Sequence, residues 1–552
     1  MRHGGRILAD HLAAYGVDRV FSVPGESFLA ALDGLYDHGI ANIVCRHEGG
    51  AAMMAEATGK LTGRPGVAFV TRGPGATNAA AGVHVAKQDS TPMILFVGQI
   101  ARGHRDREAF QEVDYRAVFG PLAKWAAEVD QVERLPEYIS RAFHVAMSGR
   151  PGPVVLALPE DMLSSVADVP DLPPPVASVA GVTEAQVAAV AAAIRAAERP
   201  LVVVGGSQWS PEAAEALESF AEGWGLPLAV SFRRQDRLDN ASRAYVGDLG
   251  VGMNPKLAAR LKAADLLVVL GSRLGDIATG GYELLDPARP PRLVHVHADA
   301  GELGRVFRPE VAVCAPAPAM VAALAALAPP NARPWEGWAQ EARADYEAWQ
   351  RPVATPGAVR MEDVVGWLAD HLPEDAVVTN GAGNYAAFLH RYYGFRRHGT
   401  QLAPTSGSMG YGFPAAIAAC LHDPGRTVVC LAGDGCFQMT LNEMSTAVQH
   451  GAAPVVIVAN NGRYGTIRMH QEREYPGRVS GTDLANPDFA ALARAYGGHG
   501  EVVERQEDFA AAFTRAQAAG TVAVIELRLD PQMLSTAMTL DQMRAAGLAR
   551  QG

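Results

Sequence analysis

The chain has 552 residues and a formal net charge of −11 at pH 7, with 49% hydrophobic and 19% charged residues. This length exceeds what one hydrophobic core supports, so about three globular domains are expected. The acidic balance excludes a basic surface for nucleic acid or an anionic membrane, and it favours small-molecule chemistry.

The five cysteines are scattered and show no CxxC spacing, which predicts neither a disulfide framework nor a zinc site. We therefore expect reduced thiols and a cytoplasmic location. Residues 1–16 have the pattern of an amphipathic helix rather than of a secretory signal. No apolar run is long enough to cross a bilayer.

Short apolar runs alternate with helical patterns from the amino terminus onward, which predicts a doubly wound α/β domain with a parallel sheet. Two Pro-rich segments indicate boundaries to a second α/β domain and a third. The predicted organisation is a first domain at 1–165, a linker at 166–184, a middle domain at 185–330, a linker at 331–357, a third domain at 358–534 and a tail at 535–552. The tail is polar and weakly helical, and it is expected to be a lid or to be disordered.

Polar residues follow two strands predicted in the first domain. Glu48 comes directly after the strand Ile43–Cys45, and the loop Gly73–Asn78 follows the strand Val67–Thr71. Both places lie at the carboxyl edge of a parallel sheet, where α/β domains bind ligands. A lone glutamate there more often caps a helix, and a Gly-Pro-Gly loop is also ordinary turn chemistry, so the residues alone leave the function open.

The third domain contains a strand–helix–strand unit with a polar residue after each strand. The strands are predicted at Thr427–Ala432 and Pro454–Ala459. Thr440 and Glu443 have the spacing of a capping box for the helix between them. Since a crossover helix makes the strands parallel, Asp434 and Asn461 should emerge at one edge. A carboxylate and an amide oxygen suit Mg²⁺ that holds a phosphate.

The sequence GDG at 433–435, closed by NN at 460–461, resembles the signature of the thiamine-diphosphate-dependent enzymes. The RHE sequence at 46–48 and the GPG-x-x-N sequence at 73–78 are similar to the pyrimidine-binding domain of that family. The resemblance covers almost the whole chain. It implies an α/β fold with three doubly wound parallel-sheet domains (pyrimidine-binding, middle and diphosphate-binding) and the cofactors thiamine diphosphate and Mg²⁺.

The resemblance also implies residue roles. The Asp434 carboxylate, the Asn461 side chain and the Arg463 carbonyl are the implied Mg²⁺ ligands. Glu48 is implied to bond N1′ of the aminopyrimidine, and Met409 to prop the cofactor into its bent shape. Further cofactor contacts are implied for Pro74, Asn78, Asn384, Tyr385, Gly407, Ser408, Gly433, Gly435, Cys436, Tyr464 and Gly465.

Within the family, the AFQEVD sequence at 109–114 resembles acetolactate synthases. That likeness implies that Gln111 faces the thiazolium and that Phe110 lies near the substrate. Glu26 stands where pyruvate-decarboxylase-like relatives have a catalytic aspartate, and it is expected to relay protons or to cap the following helix. The family's cofactor spans two subunits, which implies a homodimer or homotetramer. Some relatives hold FAD, but a G-x-G-x-x-G fingerprint is absent here, so FAD is left open.

Three positions depart from acetolactate synthases. Ile277 stands where they have an arginine for the acceptor carboxylate, His470 replaces a tryptophan of the acceptor pocket, and Glu160 replaces a lysine. A charged hydrogen bond contributes about 1.5–3 kcal/mol, so an acceptor oxoacid should be recognised poorly. Arg273 and Arg463 are the nearest substitutes by sequence.

Three functions remain open at this point. The first is a 2-oxoacid decarboxylase or carboligase of the broad acetolactate-synthase type, acting on small carbonyl substrates. The second is a thiamine-diphosphate-dependent lyase for a 2-hydroxyacyl thioester or a hydroxyketone. The third is a non-catalytic cofactor-binding subunit, against which Glu48, Asp434 and Asn461 argue.

Overall fold

The computed structural model describes residues 1–533 and 535–551. The chain divides into two compact units. The first consists of Met1–Ser178, Pro404–Pro424 and Thr440–Ala453, and the second of Val179–Ala403, Gly425–Met439 and Pro454–Gly552. Within the described ranges, no helix combines the length and apolar character that a membrane span needs.

The first unit contains one parallel six-stranded sheet. Its strands, with a short outer pair, are β1 (Arg2–His3), β2 (Arg19–Ser22), β3 (Ala41–Val44), β4 (Gly66–Val70), β5 (Met93–Gln99), β6 (Trp125–Glu128), β7 (Pro153–Pro159) and β8 (Val166–Ala167). The sheet order is β3-β2-β4-β5-β7-β6, and β1 pairs with β8 antiparallel. Strands β4, β5 and β7 are buried along their whole length, as parallel strands covered on both faces should be. Each fully buried Val, Leu, Ile or Phe contributes about 1.5–3 kcal/mol.

The second unit contains two more six-stranded parallel sheets. Their strands are β9 (Pro200–Val204), β10 (Leu228–Ser231), β11 (Tyr245–Leu249), β12 (Leu266–Leu270), β13 (Arg292–His297), β14 (Val311–Cys314), β15 (Val377–Asn380), β16 (Gln401–Leu402), β17 (Val428–Gly433), β18 (Val455–Asn460), β19 (His499–Val503) and β20 (Ala523–Arg528). The orders are β11-β10-β9-β12-β13-β14 and β16-β15-β17-β18-β20-β19. The predicted parallel pairing of β17 with β18 is confirmed, with Gly433 opposite Ala459.

Helices connect these strands, and the prediction of three doubly wound parallel sheets is confirmed. The α-helices are α1 (Gly4–Ala14), α2 (Leu29–Tyr36), α3 (Glu48–Thr62), α4 (Pro74–Asp89), α5 (Tyr115–Phe119), α6 (Leu135–Met147), α7 (Glu160–Ser164), α8 (Glu184–Arg195), α9 (Pro211–Trp224), α10 (Pro255–Ala263), α11 (Ala317–Ala325), α12 (Glu336–Trp349), α13 (Met361–His371), α14 (Tyr385–Tyr392), α15 (Gly412–His422), α16 (Asp434–Phe437), α17 (Met444–His450), α18 (Gly465–Glu474), α19 (Phe489–Ala495), α20 (Phe509–Ala518) and α21 (Leu540–Gln551).

The predicted capping box is wrong. A 3-10 turn at Leu441–Glu443 precedes α17, and the Thr440 side chain makes no capping bond. The Thr440 hydroxyl instead donates to the Gly410 carbonyl at 2.8 Å. In a capping box the Glu443 carboxylate would accept from the Thr440 N–H, whereas here it accepts from the backbone N–H groups of Arg46 and His47.

The tail forms a helix, α21, rather than a disordered segment. Arg544 donates two hydrogen bonds of 2.8 Å to the buried carboxylate of Glu472 on α18. This pairing lowers the pKa of Glu472 to about 2. A Cβ added at Gly547 would lie 2.5 Å from the Glu472 carbonyl, so the two helices approach closely at that glycine.

Candidate active site

Glu48 is the first residue of α3, separated from the end of β3 by three residues, at the carboxyl edge of the first unit's sheet. His47 caps this helix, with its Nδ1 accepting from the Gly49 N–H at 3.0 Å. The Glu48 Oε2 accepts from Asn78 Nδ2 at 3.0 Å. A Cβ added at Gly75 would lie 3.3 Å from Glu48 Oε1. The two sequence motifs thus meet at one carboxylate, and the glycine keeps the space beside it open.

Gln111 packs against the same Gly-Pro-Gly turn, in which Pro74 begins α4 at the position a proline favours. Gln111 has a φ of +63° and Gly73 a φ of +59°, and a Cβ on Gly73 would lie 2.7 Å from Gln111 Cβ. Gln111 Oε1 is buried without a hydrogen-bond partner among the described residues. A left-handed backbone and an unsatisfied buried oxygen are both costly, and such features are typical of ligand sites. Phe110 beside it is 75% exposed.

Glu443 holds the segment that precedes Glu48. Its side chain is fully buried, and its carboxylate accepts from the backbone N–H groups of Arg46 at 3.2 Å and His47 at 3.0 Å. Burial raises the pKa of Glu443, against the effect of these donors. A Cβ at Gly50 would lie 2.4 Å from Glu443 Oε1, so a larger residue there would displace this carboxylate. The sequence pattern missed this contact because the two segments are far apart in the chain.

The methionine loop, residues 407–410, turns at two glycines with positive φ, Gly407 at +67° and Gly410 at +80°. Met409 between them is half-buried. The Ser408 hydroxyl donates to the Met409 carbonyl at 3.2 Å. The fixed carbonyl of Gly410, which accepts from Thr440, holds the end of the loop.

A buried ionic network ties the residue after the methionine loop to α3. The Tyr411 hydroxyl donates to Glu56 Oε2 at 2.6 Å, and Lys60 Nζ lies 3.1 Å from Glu56 Oε1 and 2.7 Å from Asp89 Oδ2. Removing one member of such a buried pair costs about 3–5 kcal/mol. Because α3 begins with Glu48, this network holds the methionine loop and the Glu48 helix together within the first unit.

Asp434, in the second unit, follows β17 and is 3% exposed. Its Oδ1 accepts from the Gly435 N–H at 2.8 Å, and its Oδ2 accepts from the Gly462 N–H at 2.9 Å and from Asn486 Nδ2 at 2.8 Å. Burial raises the pKa of this carboxyl. No cationic side chain of the described residues pairs with it, so a bound metal ion would balance its charge.

The two consecutive asparagines after β18 differ in their contacts. Asn460 Oδ1 accepts from Asn486 Nδ2 at 2.8 Å, and Asn460 Nδ2 donates to Glu526 at 2.6 Å. The Asn461 side chain makes no hydrogen bond within the described ranges, so its amide oxygen is available to a ligand. Asn486 bridges Asp434 and Asn460, and no motif in the sequence pointed to it.

Two tyrosine rings explain the glycines around Asp434. A Cβ at Gly433 would lie 2.9 Å from Tyr385 Cδ1, and one at Gly435 would lie 2.4 Å from Tyr464 Cε1. The Tyr385 hydroxyl is 3.2 Å from Cys436 Sγ. The predicted cofactor residues of the GDG sequence are therefore packed against aromatic walls.

The start of α18 lies beside the remaining predicted residues of this loop. Gly465 opens the helix, and the Thr466 hydroxyl donates to Asn384 Oδ1 at 2.9 Å. The Arg463 N–H lies 3.2 Å from Asp434 Oδ2. Arg463 Nε is buried and has no hydrogen-bond partner among the described residues.

Comparison with known proteins gives the same three-part order. The thiamine pyrophosphate enzyme models match as the N-terminal TPP binding domain at residues 2–118, the central domain at 187–324 and the C-terminal TPP binding domain at 381–527. The acetolactate synthase isozyme 2 large subunit of Escherichia coli (strain K12) is 31% identical, over 92% of this chain and 92% of that protein. The chain belongs to the acetolactate-synthase-like thiamine-diphosphate enzymes.

Other relatives are similar over most of their length. The acetolactate synthase of Mycobacterium bovis is 31% identical over 95% of this chain and 87% of its own. The acetolactate synthase large subunit of Parasynechococcus marenigrum (strain WH8102) is 32% identical over 91% and 84%. The protein is thus a thiamine-diphosphate- and Mg²⁺-dependent enzyme of the carboligase or decarboxylase type. The uncompensated Asp434 carboxylate and the available Asn461 amide fit a phosphate-bound Mg²⁺.

The positions that depart from acetolactate synthases lie in different surroundings. Ile277 is half-buried in the loop after β12, and Arg273 in that loop is exposed. His470 is on α18, where its Nδ1 lies 2.7 Å from Arg473 Nη2. Burial, and then the charge of Arg473, lowers the pKa of His470. Arg473 therefore places a cation beside His470.

Glu26 does not cap a helix, since the 3-10 turn at Glu26–Phe28 has no side-chain capping bond. Gly205 and Gly206, which follow β9 in the middle domain, are explained by local packing. A Cβ at Gly205 would lie 2.1 Å from Ser231 Oγ, and one at Gly206 would lie 2.4 Å from the Gly271 carbonyl. These residues therefore offer no support for FAD.

Asp434→Ala is expected to weaken binding of thiamine diphosphate with Mg²⁺ at least about 100-fold, since removal even of outer-shell partners costs 10- to 100-fold at metal sites. Titration calorimetry measures this. Asp508→Ala, which removes a surface carboxylate paired with Arg505, is the control and should bind normally. Undiminished binding in Asp434→Ala would contradict the metal assignment.

Glu443→Gln is expected to slow proton exchange at C2 of bound thiamine diphosphate about 10- to 100-fold, because a neutral amide oxygen binds the Arg46 and His47 N–H groups more weakly than a carboxylate and the segment before Glu48 shifts. NMR-detected deuterium exchange on cofactor-saturated protein tests this. Thr446→Val removes another donor to the same carboxylate, at 2.6 Å, and should change the rate little. Equal rates in the wild type and Glu443→Gln would show that Glu443 does not position Glu48.

Proposed function

We propose that this enzyme transfers the acyl group left after decarboxylation of a 2-oxoacid to an uncharged carbonyl acceptor. The observation that carries the proposal is the Glu48 carboxylate, which Asn78 holds beside the open Gly-Pro-Gly turn. Bound thiamine diphosphate supplies the carbanion chemistry that cleaves or forms a C–C bond next to a carbonyl.

The first unit's residues would activate the cofactor. Glu48 holds a proton at N1′ of the aminopyrimidine, which promotes removal of the C2 proton as general acid–base catalysis. Met409 would prop the bound cofactor from the methionine loop and so help to orient its reacting groups. Gln111 faces the thiazolium with its unpartnered Oε1, Glu26 relays protons, and Phe110 lines the substrate space.

The second unit's residues would hold the diphosphate. The Asp434 carboxylate, the Asn461 side chain and the Arg463 carbonyl are the proposed protein ligands that would hold Mg²⁺ together with the diphosphate. The diphosphate contacts are proposed for Asn384, Tyr385, Gly433, Gly435, Cys436, Tyr464 and Gly465. The Pro74, Asn78, Gly407 and Ser408 contacts belong to the pyrimidine and its flanking atoms.

The assembly and location are part of the same proposal. We infer a homodimer or homotetramer in which Glu48 of one copy and the Asp434 site of another share a cofactor. The five cysteines are free thiols, which supports a cytoplasmic location. The domain limits proposed are 1–165, 185–330 and 358–534, with linkers at 166–184 and 331–357 and a tail at 535–552.

We infer an uncharged acceptor from the apolar side chain of Ile277. An oxoacid acceptor must bring a carboxylate into its pocket, and an ion without a cation is penalised by desolvation. Ile277 offers only apolar contact. His470, kept neutral by burial and by Arg473, is suited to bond an uncharged aldehyde or ketone oxygen.

Glu48→Gln is expected to bind thiamine diphosphate but to exchange its C2 proton at least about 100-fold more slowly, since general acid–base groups contribute about 10²–10⁴-fold. Deuterium exchange followed by NMR is the measurement, with the exposed-residue variant Glu137→Gln as the control. A wild-type exchange rate in Glu48→Gln would remove Glu48 from the mechanism.

The enzyme is expected to make little acetolactate from pyruvate alone. When an aldehyde is added, the aldehyde adduct should exceed acetolactate at least about tenfold, since losing about 1.4 kcal/mol of binding to the acceptor carboxylate corresponds to a factor of ten. Quantifying acetolactate, aldehyde adducts and free acetaldehyde tests this. Efficient acetolactate formation from pyruvate alone would contradict it. Arg473→Gln would then show whether Arg473 supplies the missing charge.

A further inference from the structure

Arg72 joins two glutamates that no motif in the sequence linked. Its Nη1 donates to Glu160 Oε2 at 2.9 Å, and its Nη2 donates to Glu26 Oε1 at 3.4 Å. Arg72 is 8% exposed, whereas the side chains of Glu26 and Glu160 are 61% and 37% exposed. The arginine is therefore the buried centre of the cluster, and the two carboxylates form its outer surface.

The cluster lies at the same sheet edge as Glu48. Glu26, Arg72 and Glu160 follow the parallel strands β2, β4 and β7, and Glu48 follows β3. Arg72 directly precedes Gly73, which packs against Gln111. The cluster is thus continuous with the turn that meets Glu48.

The cluster carries an excess negative charge. Two carboxylates share one guanidinium, and no other cation of the described residues bonds either carboxylate. The neighbouring Asp161 is already paired with Arg102 at 2.9 Å and adds no net charge. A partly exposed carboxylate repels a like charge and leaves a neutral molecule unaffected.

We propose that the Glu26–Arg72–Glu160 cluster sets the acceptor specificity, selecting an uncharged aldehyde or ketone against a second 2-oxoacid. This inference rests on the proposed function. Arg72 and Glu160 act as specificity-determining residues through charge, while the proton transfers stay with Glu48 and Glu26. The cluster repels the carboxylate of an oxoacid acceptor, whereas Ile277 only lacks a charge to bind it. Selective binding sites combine unfavourable contacts to the wrong ligand with favourable contacts to the right one.

The test is a competition in which pyruvate is the donor and also competes with an equal concentration of acetaldehyde as acceptor. The ratio of acetolactate to the aldehyde adduct is measured, so effects on the donor step cancel. Glu160→Gln removes one charge and should raise the ratio about three- to tenfold, and Glu160→Lys should raise it further. Asp18→Asn breaks an arginine–carboxylate pair before β2, at the opposite edge of the same sheet, and should leave the ratio unchanged.

The dependence of the product ratio on salt concentration distinguishes charge repulsion from a purely structural role of the cluster. Charge repulsion is screened over about 10 Å at 0.1 M ionic strength, so the wild-type ratio should rise with salt and the Glu160→Gln ratio should rise less. Unchanged ratios in both Glu160 variants, with normal thermal unfolding, would overturn the inference. So would a wild-type ratio that does not change with salt.

The same assays separate this inference from the proposed function. If the wild type releases no CO₂ from pyruvate or from a panel of other 2-oxoacids, or if Glu48→Gln releases it as fast as the wild type, the proposed function itself fails. If the wild type decarboxylates pyruvate and forms the aldehyde adduct while Glu160→Gln and Glu160→Lys leave the ratio unchanged, only the cluster's role is refuted.

Discussion

Glu443 and Asp434 are buried carboxylates with no cationic partner among the described residues, and they fix the loops on which the proposed chemistry depends. Glu443 is satisfied by the N–H groups of Arg46 and His47, and Asp434 by those of Gly435 and Gly462 with one asparagine amide. A buried charge without such donors would cost several kcal/mol, so the loops that carry the donors are held in place. One carboxylate orients the segment that leads to Glu48, and the other has charge left for a metal.

The position of a candidate residue could be predicted from the sequence where that residue lies within a few positions of a recognisable strand. Asp434 and Asn461 each follow a Val-rich strand, so the parallel sheet alone brings them to one edge. Glu48 follows β3 in the same way, and its family resemblance supplied the role. The helix after the Gly-Pro-Gly turn begins at Pro74, since proline's fixed φ suits a first helical turn.

The sequence was insufficient where a side chain bonds a distant segment. Glu443 was read as part of a local capping box, and Thr440 in fact donates to Gly410. Arg72 and Asn486 carried no pattern at all, because their partners come from other loops of the sheet edge. Spacing predicts contacts within a helix or across one turn, whereas these contacts exist only after the sheet has formed.

The tight fit between Gly50 and Glu443 also constrains how such enzymes diverge. A Cβ at position 50 would lie 2.4 Å from the Glu443 carboxylate, so an alanine there would displace the Glu443 side chain unless a shorter residue stood at 443. Either change alone would disturb the backbone before Glu48. A variant that carries only one of the two substitutions should therefore be less active than one that carries both or neither. Positions 50 and 443 should therefore covary among homologues, and a designer who recombines fragments of two relatives should take both residues from the same parent.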